Sequence, residues 1–152
     1  MASDNDRRVW LRLLCKTTMS ELEAAWKCTN ASIAFQTLRS AEVGLAMIQG
    51  RADGTGRPFN LGEATVTRCV VRCTDSGNNR PLLGIGYTLG RDKKRTRLIA
   101  QFDALFQDSA DGKSLQESIL PALAERRNSE ESVAAQKSAA TRVEFFTMVR
   151  GE

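Results

Sequence analysis

The chain has 152 residues, 41% of them hydrophobic and 26% charged, with a formal net charge of +4. That composition excludes a disordered chain and fits one globular domain of ordinary size. The mild basicity admits an acidic partner or a phosphate ligand but does not demand nucleic acid.

The opening stretch "MASDNDRRVW" is polar, and no apolar run approaches the roughly 20 residues that cross a bilayer. A soluble, cytoplasmic protein is expected. Arg8 to Lys16 carries Val9, Trp10, Leu13 and Leu14 at helical spacing. A second amphipathic helix follows, with Leu22, Ala25 and Trp26 as its stripe and Ser20 with Glu23 as its capping box. The first 31 residues therefore read as a helical region.

The pattern then changes to extended structure. Two short strands are expected, over about 34–39 and 43–51, the second apolar on both faces and so central in a sheet. Ala52 to Gly62 reads as a turn-rich loop. "EATVTRCVVRCTD" is the clearest strand, with Val66, Arg68, Val70 and Arg72 on one face and Thr67, Cys69, Val71 and Cys73 on the other. "LLGIGYTLG" is a further strand, giving an antiparallel meander. Helix returns at "RDKKRTRLIAQFDALFQ", capped by Asp92, with Leu98, Ile99, Phe102, Leu105 and Phe106 three or four apart. Two more helices are expected, from Leu115 to Leu123 with an interruption near Pro121, and from Ser129 to about Arg142. The class is α+β, an antiparallel sheet of about four strands flanked by N-terminal and C-terminal helices.

Few residues suggest chemistry. There is no histidine, which removes the commonest general base. The four cysteines, Cys15, Cys28, Cys69 and Cys73, form no C-x-x-C pair, and a buried, reduced state is expected rather than a metal site. Arg91, Lys93 and Lys94, with Arg95 and Arg97 beyond, crowd a helix start. Helix N-termini attract anions, so the cluster is read either as a phosphate contact or as a basic face toward solvent or an acidic partner. Its glycines do not make G-x-G-x-x-G. The loop holding Gly54, Gly56, Arg57 and Gly62 is read as a ligand loop or an ordinary turn. Arg68 and Arg72 either meet water or pair with carboxylates of a partner. Aromatic platforms for stacking bases are missing. The stretch "ATRVEFFTMVRGE" places Phe145, Phe146, Met148, Val149 and Arg150 together. It fits either a last element of the domain's own core or an arm that packs on another chain.

The sequence resembles the PhnG family, small subunits of the bacterial carbon–phosphorus lyase core complex. The resemblance is carried by "RSAEVGLAMIQGRADGTGRPFNLGEATVTRCVVR", by "GYTLGRDKKR" with "DAL" after it, and by "ATRVEFFTMVRGE". It implies one domain over residues 1–152 that works in phosphonate catabolism as an accessory subunit. Its expected partners are PhnI-, PhnH- and PhnJ-type subunits, with PhnK- and PhnL-type ATP-binding proteins, and no nucleic acid or membrane. It implies a transferase complex in which an alkylphosphonate displaces adenine from ATP, giving α-D-ribose 1-alkylphosphonate 5-triphosphate. ATP is then a substrate of the complex, no cofactor is expected in this subunit, and no catalytic residue carries over onto this chain. The segment 140–152 is expected to dock on another subunit, and Arg57, Arg91, Lys93 and Lys94 to meet phosphate or an acidic surface. The alternative is an autonomous basic nucleotide- or nucleic-acid-binding module.

Overall fold

A computed structural model of the chain describes residues 4–29, 33–51, 55–74, 81–108 and 111–141. The elements run α1 (Asp4–Leu14), α2 (Met19–Lys27), β1 (Phe35–Arg51), β2 (Pro58–Cys73), β3 (Leu82–Leu89), α3 (Lys93–Phe106) and α4 (Asp111–Ala140). The three strands form one antiparallel sheet in the order β1-β2-β3. The α+β expectation holds, with three strands where about four were expected.

The difference arises in β1. The expected break at Ser40–Glu42 does not turn the chain. It is absorbed by register shifts between Thr37 and Arg39 and between Arg39 and Glu42, so two expected strands are one. β1 is also an edge strand, not a central one. The loop expected over 52–62 is shorter, because β2 already begins at Pro58. Gly62, at φ +144, accompanies a further shift opposite Ile48 and Gln49, where glycine's freedom at positive φ is needed.

Helix α3 lies on one face of the sheet. It buries Leu98, Ile99, Phe102 and Phe106, each contributing roughly 1.5–3 kcal/mol relative to exposure. Beneath it are the Thr67, Cys69, Val71 and Cys73 side of β2, all buried as the alternation predicts. The close approach depends on β3. A Cβ added at Gly84 would stand 1.8 Å from the carbonyl oxygen of Ala100, and one at Gly86 would stand 2.1 Å from that of Thr96. These glycines serve helix-on-strand packing. Thr88 and Thr96 share a buried hydroxyl–hydroxyl hydrogen bond of 2.6 Å across the same contact.

The remaining helices close over α3. Trp10 and Leu14 of α1, Leu22 of α2 and Ile119 of α4 join its apolar face in one core. α2 starts at Met19, so its capping pair is Thr18 and Glu21, two residues before the expected Ser20 and Glu23. The Glu21 carboxylate accepts from the Thr18 backbone N–H at 2.8 Å. α4 is one helix of 30 residues running through Pro121, not two. Pro121 costs one helical hydrogen bond, and the partner it abandons, the carbonyl of Glu117, belongs to an exposed residue that water can reach. No described helix is long and apolar enough to cross a membrane.

Candidate functional site

The basic run at the start of α3 divides by role. Asp92 caps the helix, its Oδ1 accepting from Arg95 N at 2.9 Å. The Arg95 side chain turns away from the surface. It donates to the carbonyl of Thr17 at 2.9 Å and to that of Cys15, satisfying carbonyls at the end of α1. Arg91, Lys93 and Lys94 are exposed and make no ion pair with a described residue. Arg57 is not brought to them. β3 stops pairing at Val66↔Leu89, while β1 and β2 continue through seven further pairs, from Leu45↔Thr65 to Arg51↔Pro58. Arg57 sits past the last of these, roughly 23 Å along the ribbon at about 3.3 Å per residue.

Beside α3 is a groove of about 430 Å³ between it and α2, lined by Met19, Trp26 and Leu98 and by Lys27, Lys94 and Arg97. Trp26 stands edge-on to Phe102, with centroids 5.2 Å apart, so one side of its ring belongs to the core.

The face of the sheet opposite α3 has no described helix on it. Leu83, Ile85, Tyr87 and Leu89 of β3 point there and are exposed, Leu89 by 66%. The β1–β2 ribbon extends this apolar surface with Ile48, Phe59 and Leu61, and its other face exposes Val43, Leu45 and Met47. Two-stranded ribbons are marginal alone in water, and an uncovered sheet face with several large exposed apolar side chains marks an interaction surface. Across it runs one ionic band, Arg39 and Arg68 on Glu42 at 2.9 and 2.5 Å. Arg68 is thus paired within the chain. Arg72 differs: its Nε is buried and finds no hydrogen-bond partner among the described residues.

One polar group unnoticed in the sequence is fully buried. Asp103 accepts from Arg7 at 2.6 and 3.1 Å, from Trp10 Nε1 at 3.0 Å and from Ile85 N at 2.9 Å. Its sequence signal was an acid set among the apolar residues of "LIAQFDALF". Four donors on one carboxylate make a structural tie between α1, α3 and β3, not a free general base. All four cysteines are free. Cys69 and Cys73 are buried as expected, whereas Cys15 is half-buried and Cys28 exposed. Burial pushes the Cys69 and Cys15 thiols up, with Arg95 opposing it at Cys15, so neither is an activated nucleophile. Among the described residues no group of three or more His, Cys, Asp or Glu is placed to hold a metal. Phe145, Phe146, Met148, Val149 and Arg150 lie outside the described residues.

A protein of Rhizobium meliloti (strain 1021) named "Alpha-D-ribose 1-methylphosphonate 5-triphosphate synthase subunit PhnG" is 45% identical over 146 residues, covering 96% of this chain and 90% of the relative. The profile of the family described as "Phosphonate metabolism protein PhnG" matches residues 5–151. With nearly its whole length matched by that profile, the chain belongs to the PhnG family.

Proposed function

We propose that the chain is an accessory subunit of a ribose 1-methylphosphonate 5-triphosphate synthase in phosphonate catabolism. In that complex an alkylphosphonate displaces adenine from ATP. The partners are PhnI-, PhnH- and PhnJ-type subunits, with PhnK- and PhnL-type ATP-binding proteins in association, in the cytoplasm. Membership of a family with a relative named as a synthase subunit supports this reading. The observation that carries it on the chain itself is the uncovered sheet face, which exposes Leu61 by 62% and Leu89 by 66%. The Arg72 Nε beneath that face, buried and without a hydrogen-bond partner among the described residues, adds a donor for a partner's acceptor. Phe145, Phe146, Met148 and Val149 supply a second apolar contact, with Arg150 at its rim, and Arg57 reaches a partner from the ribbon tip. The catalytic groups come from other subunits.

Co-expression with the other synthase subunits tests the proposal. The wild-type chain is expected to purify with stoichiometric partners, and a Leu61→Lys, Leu89→Lys variant to melt normally but lose them. Substitutions at exposed positions usually change stability by about 0.5 kcal/mol or less, so a loss of partners with an unchanged melt reports the surface. Release of adenine from ATP and methylphosphonate by the isolated chain would overturn the accessory role.

A further inference from the structure

We infer that the groove between α2 and α3 seats an acidic segment of a partner subunit, one that also carries a large apolar side chain. This rests on the complex proposed above and names a second, polar contact within it.

The contrast with the other groove of the helical layer carries the inference. Four cations elsewhere in that layer are paired within the chain. Arg7 meets Asp103, Lys16 meets Glu131, Arg126 meets Glu21 and Glu130, and Arg127 meets Glu130 and Glu131. In the other groove, of about 360 Å³ between α1 and α4, Lys16 and Arg127 are both paired with Glu131, leaving Arg12 as the cation there without an ion pair to a described residue. In the α2–α3 groove Lys27, Lys94 and Arg97 make no ion pair with a described residue, and one carboxylate, Glu23, stands among them. Lys94 lies in the first turn of α3, where the helix dipole disfavours a cation. Three cations that make no ion pair with a described residue, set against one carboxylate around an apolar lining, complement an acidic chain. Met19, Trp26 and Leu98 offer the apolar anchor point.

A small phosphate fits less well. Phosphate sites at helix starts use free backbone N–H groups. At α3 the N–H of Arg95 is taken by the Asp92 carboxylate, and that of Thr96 by the Asp92 carbonyl. The Asp92 carboxylate thus occupies the place an anion would take. Side-chain carboxylates of a peptide reach Lys94 and Arg97 from the helix flank without displacing it.

The test uses the reconstituted complex. A photo-crosslinking residue replaces Gln101 in the groove, and a second preparation carries Lys27→Glu, Lys94→Glu and Arg97→Glu. The crosslink is expected to land in an acidic segment of one subunit. The triple variant is expected to bind that subunit about tenfold more weakly or worse near 0.05 M salt, with the gap narrowing as salt is raised. If charge reversal lowers the melting temperature, a Gln triple variant is measured instead, with a smaller loss expected in the same direction. A crosslink into an uncharged or basic segment, or unchanged affinity at low salt, overturns the inference. Quenching of Trp26 by free ATP in the wild type but not in the variant would also overturn it, assigning the groove to a small anion. Trp10 is buried and silent in that measurement. A wild-type chain that recovers no subunit at all refutes the complex itself, an outcome distinct from failure of the variants alone.

Discussion

Arg7 and Asp103 stand 96 residues apart in sequence and 2.6 Å apart in the fold. The pair fixes the register of α1 against α3, and Asp103 extends the tie to β3 through Ile85 N. Removing the acid takes the acceptor from four donor atoms, on Arg7, Trp10 and Ile85, of which Trp10 Nε1 is fully buried. Asp103→Ala is therefore expected to cost roughly 3–5 kcal/mol in chemical denaturation. Arg7→Ala should cost less, because the Arg7 side chain is 30% exposed and water replaces part of what it loses. Equal, small losses for both would show that the carboxylate is satisfied some other way.

The β3 glycines give a prediction with an internal control. Gly84→Ala drives a methyl group into the Ala100 carbonyl oxygen, and the obstacle is backbone, not a flexible side chain. Separation of α3 from the sheet should cost at least the roughly 1–3 kcal/mol of ordinary overpacking. Gly44→Ala is the control, since nothing lies within 4 Å of its added Cβ. Thermal melts of the two variants should differ by several degrees, and coincident melts would refute the packing account.

The same glycines show what the sequence made legible. The strand period of β2, the Asp92 cap and the apolar stripe of α3 are local signals, and each was readable. Residues 84–90 could be placed in a strand, but what the glycines were for depended on a helix arriving from ten residues further on. Continuity was harder still. Residues 40–42 look like a break between strands unless bulges absorb them, and Pro121 looks like a stop unless its face is solvated. The both-sided apolar pattern of 43–48 read as a central strand. It is an edge whose apolar faces await cover, a distinction that one chain's periodicity does not contain. In the basic cluster, sequence could not separate Arg95, which caps α1, from Lys94, which faces the groove.

Acid should weaken the contact that α2 makes with its neighbours. The Glu21 carboxyl is held below the usual glutamate value, first by the Thr18 hydroxyl, then by the Thr18 backbone N–H and by Arg126. A depressed carboxylate stabilises the fold above its unfolded pKa, about 4.3, and that contribution is lost as pH falls through the folded value. Glu21→Gln should therefore flatten the dependence of stability on pH on the acid side, while leaving the profile above pH 6 parallel to wild type. A variant whose acid limb is as steep as wild type would remove Glu21 from the account.

The last prediction concerns the segment after α4. Its final turns leave the body of the protein: residues 128–141 are exposed, and Lys16 with Glu131 is the last ion pair tying the helix to α1. A segment launched from there begins away from the domain's own core. Truncation after Thr141 removes Phe145, Phe146, Met148 and Val149, whose burial would be worth roughly 1.5–3 kcal/mol for each large side chain. If that burial is against another subunit, the truncated chain should melt within about 1 °C of wild type, because a change of 1 kcal/mol would shift the midpoint by about 2–8 °C. It should also lose most of its affinity for the complex. If the segment folds back on its own domain, the melt should fall by many degrees before any partner is added. A truncated chain that melts normally and still assembles would refute the docking role of this segment and leave the sheet face as the contact that holds the subunit.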